Sequence, residues 1–347
     1  ARRPDVTPAA VPPDEIDLLG ALQAVLHRLP EADRVDLIGD AWAQVQAGQL
    51  SAPRWVELVH ALGDDSSPAV WGTVITGLRS LDLALEQAGH PALAAWRARA
   101  GALLRPLLHT ARAAADSGDD TEPEAQRRRA RRAAQVHELA LAELGRIDDV
   151  HSVDQAQAEW LGSPGGGGTA TAASAGAGQQ RLSPALLGLI GRHADAAQFE
   201  QLRRQAGSEP DAQRRSLLWS SLAGNRRLDL ARQAMALARS DEVPVADAPW
   251  LLVSAADAGH LSAAWTELRQ HQAELMDPLA EWDRAELAPA LLASATDPRL
   301  AEALLAWTSG RIGPRAMPAA RKAAGIIRVH AALARRAVPD LARWLGH

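Results

Sequence analysis

Residues 68–85 read Pro-Ala-Val-Trp-Gly-Thr-Val-Ile-Thr-Gly-Leu-Arg-Ser-Leu-Asp-Leu-Ala-Leu. Val70, Trp71, Val74, Ile75, Leu78, Leu81 and Leu85 recur at the spacing of one buried face of an α-helix. Pro68 suits the first helical turn, where its missing N–H costs nothing. Working outward, the same period returns almost everywhere. Toward the N-terminus it predicts helices over 14–29, 33–47 (Val35, Leu37, Ile38, Trp42 and Val45 in one stripe) and 53–62. Toward the C-terminus it predicts a helix from Pro91 to about Ala115, kinked at Pro106, and another over 122–144. Later helices are expected at 183–194, 196–206, 210–223, 228–239, 246–258, 261–276, 286–296, 298–308, 318–337 and 339–345, with a break at Pro339. Strand alternation never runs more than a few residues.

Short connections marked by Gly, Pro, Asp and Asn are those of antiparallel helix pairs. The fold class is therefore all-α, a right-handed superhelix of stacked helix pairs, bowl-shaped and solenoid-like, without a strict sequence repeat. Its expected divisions are a Pro-rich lead-in at 1–13, a first half at 14–162, a flexible Gly/Ser/Ala-rich linker at 163–181 and a second half at 182–347.

Composition narrows the function. The 347 residues carry a net charge of −5 and 47% apolar residues, which fits a globular chain and argues against a dedicated nucleic-acid binder. The chain has no Cys, so disulfides and Cys-ligated metals are excluded. Without a long apolar run, no membrane partner is expected. There are 11 Trp but no Tyr and one Phe, so Trp carries most of the aromatic packing. One Lys and one Asn accompany abundant Ala, Leu and Arg, a GC-rich bacterial type of composition, with a cytoplasmic or periplasmic setting left open. Ala1 in place of Met predicts processing or a longer parent chain.

Chemical motifs are scarce. A zinc hydrolase helix needs two His one turn apart with a Glu between them. His137-Glu138 comes nearest, but Leu141 stands where the second His is needed, and a solvated polar pair is the expected reading. Gly165 to Gly168 lacks the Lys-Ser/Thr of a phosphate loop. Arg127, Arg128, Arg129, Arg131 and Arg132 form the strongest basic run. It suits an anion patch, or more simply a solvated helix balanced by nearby acids, with Glu124 and Arg128 at i,i+4.

Three stretches carry a resemblance. They are Ala32 to Trp42 continuing to Leu50, Leu62 to Trp71, and a C-terminal arrangement. The last runs through Gln213 to Ala223, Val243 to Asp247, Ala264-Trp265, Leu268, Leu275, Ile327, His330, Leu333 and Trp344-Leu345. In order and spacing they resemble the C-terminal helical domain of the aminopeptidase N family of zinc aminopeptidases, which includes the endoplasmic-reticulum aminopeptidases. The resemblance implies a bowl of HEAT-like helix pairs that closes a substrate chamber and helps bind the peptide body. It implies as partners a peptide substrate and an upstream catalytic domain of the same polypeptide.

It also implies that zinc belongs to that other domain, with no cofactor in this chain. The HExxH and Gly-x-Met-Glu-Asn motifs of catalysis are absent here, and Gln272 stands where the family often has Trp. The chain as it stands is thus expected to be no enzyme. Arg328 and His330, on the last long helix, are the candidate peptide contacts. The alternative is a free-standing helical scaffold that binds a protein or peptide.

Overall fold

The computed structural model describes residues 18–63, 65–116, 123–162 and 182–347. Among them there is no strand. The helices are α1 (Leu18–Val25), α2 (Glu31–Ala47), α3 (Ala52–His60), α4 (Pro68–Gln87), α5 (Leu93–Asp116), α6 (Pro123–Arg146), α7 (Val150–Gly162), α8 (Pro184–His193) and α9 (Ala196–Ser208). They continue as α10 (Ala212–Ala223), α11 (Leu228–Leu237), α12 (Ala248–Ala255), α13 (Leu261–Gln270), α14 (Gln272–Met276), α15 (Glu281–Leu292), α16 (Pro298–Arg311) and α17 (Met317–Trp344). The all-α, solenoid-like class expected from the periodicity is the one found. The expected linker at 163–181, the lead-in at 1–13 and the acids of 117–122 lie outside the described residues.

Local chemistry sets the helix ends. Ser67 accepts from the Val70 N–H to cap α4, whose first residue is Pro68. Asp195 and Gln198 form a reciprocal capping box on α9. Gly48, at φ 79, ends α2 in the left-handed conformation that Gly adopts without strain. The single Asn does the work of several groups. Fully buried Asn225 donates to the Gly191 and Ala194 carbonyls at the end of α8, and its own carbonyl meets His260 Nε2 at 2.9 Å.

The structure corrects the sequence at three helices. α7 was not expected. It buries only Ser152, Ala156 and Trp160, one narrow stripe, and leaves Val150 and Leu161 in solvent. The helix expected over 261–276 breaks at His271, whose backbone leaves the helical region. The expected break at Pro339 does not occur, and α17 continues through it. Proline removes one backbone hydrogen bond there. Leu333, Ala337, Val338, Leu341 and Ala342 are all buried around it, and that packing holds the helix together.

The helices form two layers. An inner series runs α4, α6, α8, α10, α12, α15 and α17, each against the next. Then α17 meets α4 again, together with α2 and α3, so the series returns on itself. Outer helices α5, α7, α9, α11, α13 and α16 back the inner ones. The core lies between the layers in two clusters. One holds Trp55, Trp71 and Trp96 with α2 to α6; the other holds Trp160, Phe199 and Trp219 with α7 to α16. α17 belongs to both. Ala320, Ala323, Ala324 and Ile327 sit in the second cluster, whereas Leu333, Ala337 and Leu341 sit in the first. Close approach is built in where inner helices meet. A Cβ on Gly191 of α8 would lie 2.4 Å from the Ser221 carbonyl oxygen of α10.

Candidate functional site

An inner helix has ring neighbours on two sides and an outer helix behind it. The face left over is the one whose side chains stay exposed or half-exposed. On α12, Leu251, Leu252, Ala255 and Ala256 are buried. Trp250 lies on the opposite side, and Asp257, seven residues on, shares its face two turns away. On α15, Leu287, Ala288, Leu291 and Leu292 are buried, while Trp282 and Glu286 share the uncovered side at i,i+4. On α4 that side presents Thr76 and Arg79, and on α6 it presents Arg128, Arg131 and Gln135. These sides of the inner helices carry exposed or half-exposed side chains and belong to neither core cluster.

Trp250 is 56% exposed and Trp282 is 75% exposed. Both lie in the first turn of their helices, α12 and α15, which contact each other. Most other Trp side chains behave as the sequence implied, with Trp55, Trp71, Trp96, Trp160 and Trp219 fully buried.

The opposite end, at the C-termini of α4, α6 and α8, is floored by an ion network. Asp82 is fully buried and accepts from Arg97 Nε at 3.0 Å and Arg146 Nη1 at 3.0 Å. Buried Glu143 accepts from Arg146 and, at 3.2 Å, from Arg79 Nη2. Asp148, held at φ 60 in the turn after α6, accepts from Arg97 Nη1 at 2.9 Å and from Arg192 Nε at 3.0 Å. Arg97 is on α5 and Arg192 on α8, so this carboxylate joins the two halves. The neighbouring His193 is held below the usual imidazole range by burial, which outweighs the pull of Asp148.

Asp257 sits on a single π-helical turn, Ala256–His260, broken by Gly259 at φ 100. Water reaches its carboxyl, but the surrounding walls replace much of the bulk solvent. Burial raises its pKa above the ordinary carboxylate value, and Arg79 and Arg146 oppose that shift from beyond contact distance.

The candidate residues on α17 do not share a face. Arg328 turns to the outer layer and pairs with Glu302 of α16 at 2.7 Å. Half-buried His330 lies at the seam where α17 meets α4, beside Ser80, Leu83, Ser294 and Thr296. Burial lowers its pKa, against hydrogen bonding to the Ala293 and Ala295 backbone. Glu138 is not merely solvated, for it accepts from the Ala185 N–H at 3.1 Å and caps α8. In the basic run, Arg128 lies 3.8 Å from Glu124 with both exposed, and Arg132 instead reaches Glu31 of α2 at 2.6 Å. The sequence pattern missed Trp250, Trp282, Arg79 and Asp257 as residues exposed on the inner series of helices. Their signal was present as the residues left off the apolar stripe of each inner helix.

Among the described residues no group of three His, Cys, Asp or Glu side chains is placed to hold a metal ion. Among these residues the donors do not fit a zinc centre. No helix among them is long and apolar enough to cross a membrane. The family model of the ERAP1-like C-terminal domain matches residues 10–323. The chain belongs to this family. It is a domain of the kind that forms the non-catalytic C-terminal part of aminopeptidases. A comparison with curated proteins found no match. In this ERAP1-like domain the last 24 residues, 324–347, which include the ring-closing half of α17, lie beyond the matched span.

Proposed function

We propose that this ERAP1-like domain closes the substrate chamber of a zinc aminopeptidase and helps bind the body of the peptide, with the zinc held by an upstream catalytic domain of the same polypeptide. The observation that carries this reading is the exposure of two large aromatics, Trp250 and Trp282, on neighbouring helices of the inner series. Exposed large aromatics are what a binding face requires, since they offer large area at small entropic cost. The peptide contacts are placed on the uncovered stripes of α4, α6, α12 and α15. His330 lies at their margin, and Arg328, committed to Glu302, stands behind them.

The test is fluorescence anisotropy with a fluorescein-labelled peptide, together with an aminoacyl-naphthylamide assay on the same preparation. Saturable binding without hydrolysis is expected. Absence of binding, or turnover by the chain alone, would overturn the reading.

A further inference from the structure

The last helix has a side that neither core uses. α17 spans Met317–Trp344, about 42 Å at 1.5 Å per residue. It carries six cations and a single acid, Asp340, on a chain whose net charge is −5. Its buried side begins with Ala320, Ala323, Ala324 and Ile327 and continues to Leu341. On the opposite side the sequence keeps a seven-residue repeat. Pro318, Gly325, Ala332 and Pro339 form one line of short side chains, all exposed or half-exposed. Arg321, Arg328 and Arg335 run along one flank of that line, and Lys322, Val329 and Arg336 along the other, all of them exposed. Successive members of each line stand about 10.5 Å apart.

Few of these charges are matched within the chain. Arg321, Lys322 and Arg335 have no ion-pair partner among the described residues. Arg328 meets Glu302 with both side chains exposed, and Arg336 donates to the Gln46 carbonyl. Exposed pairs contribute little, so a partner carboxylate can take the place of Glu302. A Cβ built on Gly325 would meet nothing within 4 Å, so the space over the line of short side chains is open.

A seven-residue repeat along one helix face is the pattern that a second helix reads. Short side chains admit the second helix closely, and flanking charges fix its register. Acids at the same spacing on that helix would meet the Arg line member by member, and guanidinium pairs carboxylate through two parallel hydrogen bonds. Other anionic partners fit less well. A membrane surface needs a broad apolar face beside the cations, and α17 exposes only Ile326 and Val329 among its large apolar side chains. A nucleic-acid duplex responds to phosphate-neutralising charge, and the net charge of −5 opposes it.

We infer that the open side of α17 docks an α-helix of an acidic partner protein, one that carries Asp or Glu at seven-residue spacing. This is independent of the proposed peptide-binding role, since neither Trp250 nor Trp282 lies on this helix.

Two fluorescein-labelled, Ala-rich peptides, each three heptads long and of identical composition, test it. In one the Glu residues fall on heptad lines; in the other they are permuted around the helix. Binding to the chain is measured by anisotropy at low and at raised salt, beside a DNA duplex and vesicles containing phosphatidylserine. The registered peptide is expected to bind at least about fivefold tighter than the permuted one, and less tightly as salt rises. Replacing one cation, as Arg321→Gln or Arg335→Gln, should weaken it about two- to threefold at low salt. Gly325→Met, which fills the open line, should weaken the registered peptide and spare the permuted one. All these positions are exposed or open, so the variants are expected to keep the wild-type helical circular dichroism. Equal affinity for the two peptides overturns the inference, because total charge alone then accounts for binding. So does a preference that survives Arg321→Gln, Arg328→Gln and Arg335→Gln together, which places the peptide elsewhere on the chain. Tighter binding to the duplex or the vesicles assigns the face to a polyanion or a membrane and overturns it, as does no binding at all.

Discussion

Replacing Leu341 with Ala tests whether α17 truly closes the ring. Leu341 is fully buried in the first core, although it lies near the C-terminal end of the sequence. The substitution removes three carbons. At about 0.8 kcal/mol per buried methylene the transfer loss alone is about 2.4 kcal/mol. The surrounding side chains belong to different helices and can collapse only partly, so a residual cavity adds to this. Buried Leu→Ala changes cost about 2–5 kcal/mol in total. The expected loss is therefore in the upper half of that range, because Leu333, Ala337 and Val338 pack beside it.

Urea unfolding followed by circular dichroism gives the magnitude. Amide hydrogen exchange gives the location, which matters more. If the ring is closed, exchange should accelerate in residues 333–342 and also in α2 and α3, some 300 positions earlier in the chain. The guanidinium of Arg336 supports the same seam by donating to the Gln46 carbonyl at 2.5 Å. A loss below about 1 kcal/mol, within the range of surface substitutions, would refute the closure. So would faster exchange confined to the second half.

Two further outcomes contrast the polar floor with an exposed ion pair. Asp82→Ala leaves Arg97 and Arg146 facing an empty buried position, and the loss should be about 3–5 kcal/mol, the cost of breaking a buried pair from one side. Removing exposed Asp297, paired only with exposed Arg299, should be nearly neutral apart from its cap, and equal effects in thermal unfolding would contradict the burial argument. The pH profile has a definite sign. His60, His193 and His330 all titrate below the ordinary value of 6.5 in the folded chain because of burial, so the unfolded chain takes up protons first. Their contribution is present above pH 6.5 and is lost as pH falls from there through the lowered values. Asp257, raised by burial, acts in the opposite sense at more acid pH. Urea midpoints that stay flat between neutral and mildly acid pH, or a slope unchanged in the His193→Gln variant, would count against this account.

The helices were legible in the sequence wherever one face is broadly apolar. α4 announces itself through seven buried positions at helical spacing, and Pro68 through its place in the first turn. α7 was illegible because its buried stripe contains a Ser, an Ala and a single Trp, which no hydrophobicity pattern picks out. Pro339 misled for the converse reason: a local rule was outweighed by contacts with helices hundreds of residues away. The site was legible only as a negative. Sequence alone shows that Trp282 is a large aromatic, and a core is the ordinary place for one. It takes the layer behind α15 to show that this Trp lies on the face nothing covers. Arg328 and His330 illustrate the same limit, since two residues two positions apart on a helix face nearly opposite ways. The charge network was hidden as well. Asp82, Glu143 and Asp148 look like ordinary surface acids until four arginines, from α4, α5, α6 and α8, are brought to one place.

The double membership of α17 has a consequence for how the molecule comes to exist. In an open stack of helix pairs each unit needs only its neighbours, and assembly can proceed from either end. Here the first core lacks one wall until residues 333–342 have been made. At about 5–20 residues per second, the 290 residues between Gln46 and Arg336 represent about 15–60 s of synthesis. During that interval the faces of α2, α3 and α4 that await α17 are apolar and uncovered. The N-terminal half is therefore the part most dependent on the last helix, and damage near the C-terminus should be felt first as aggregation of the half that was made earliest.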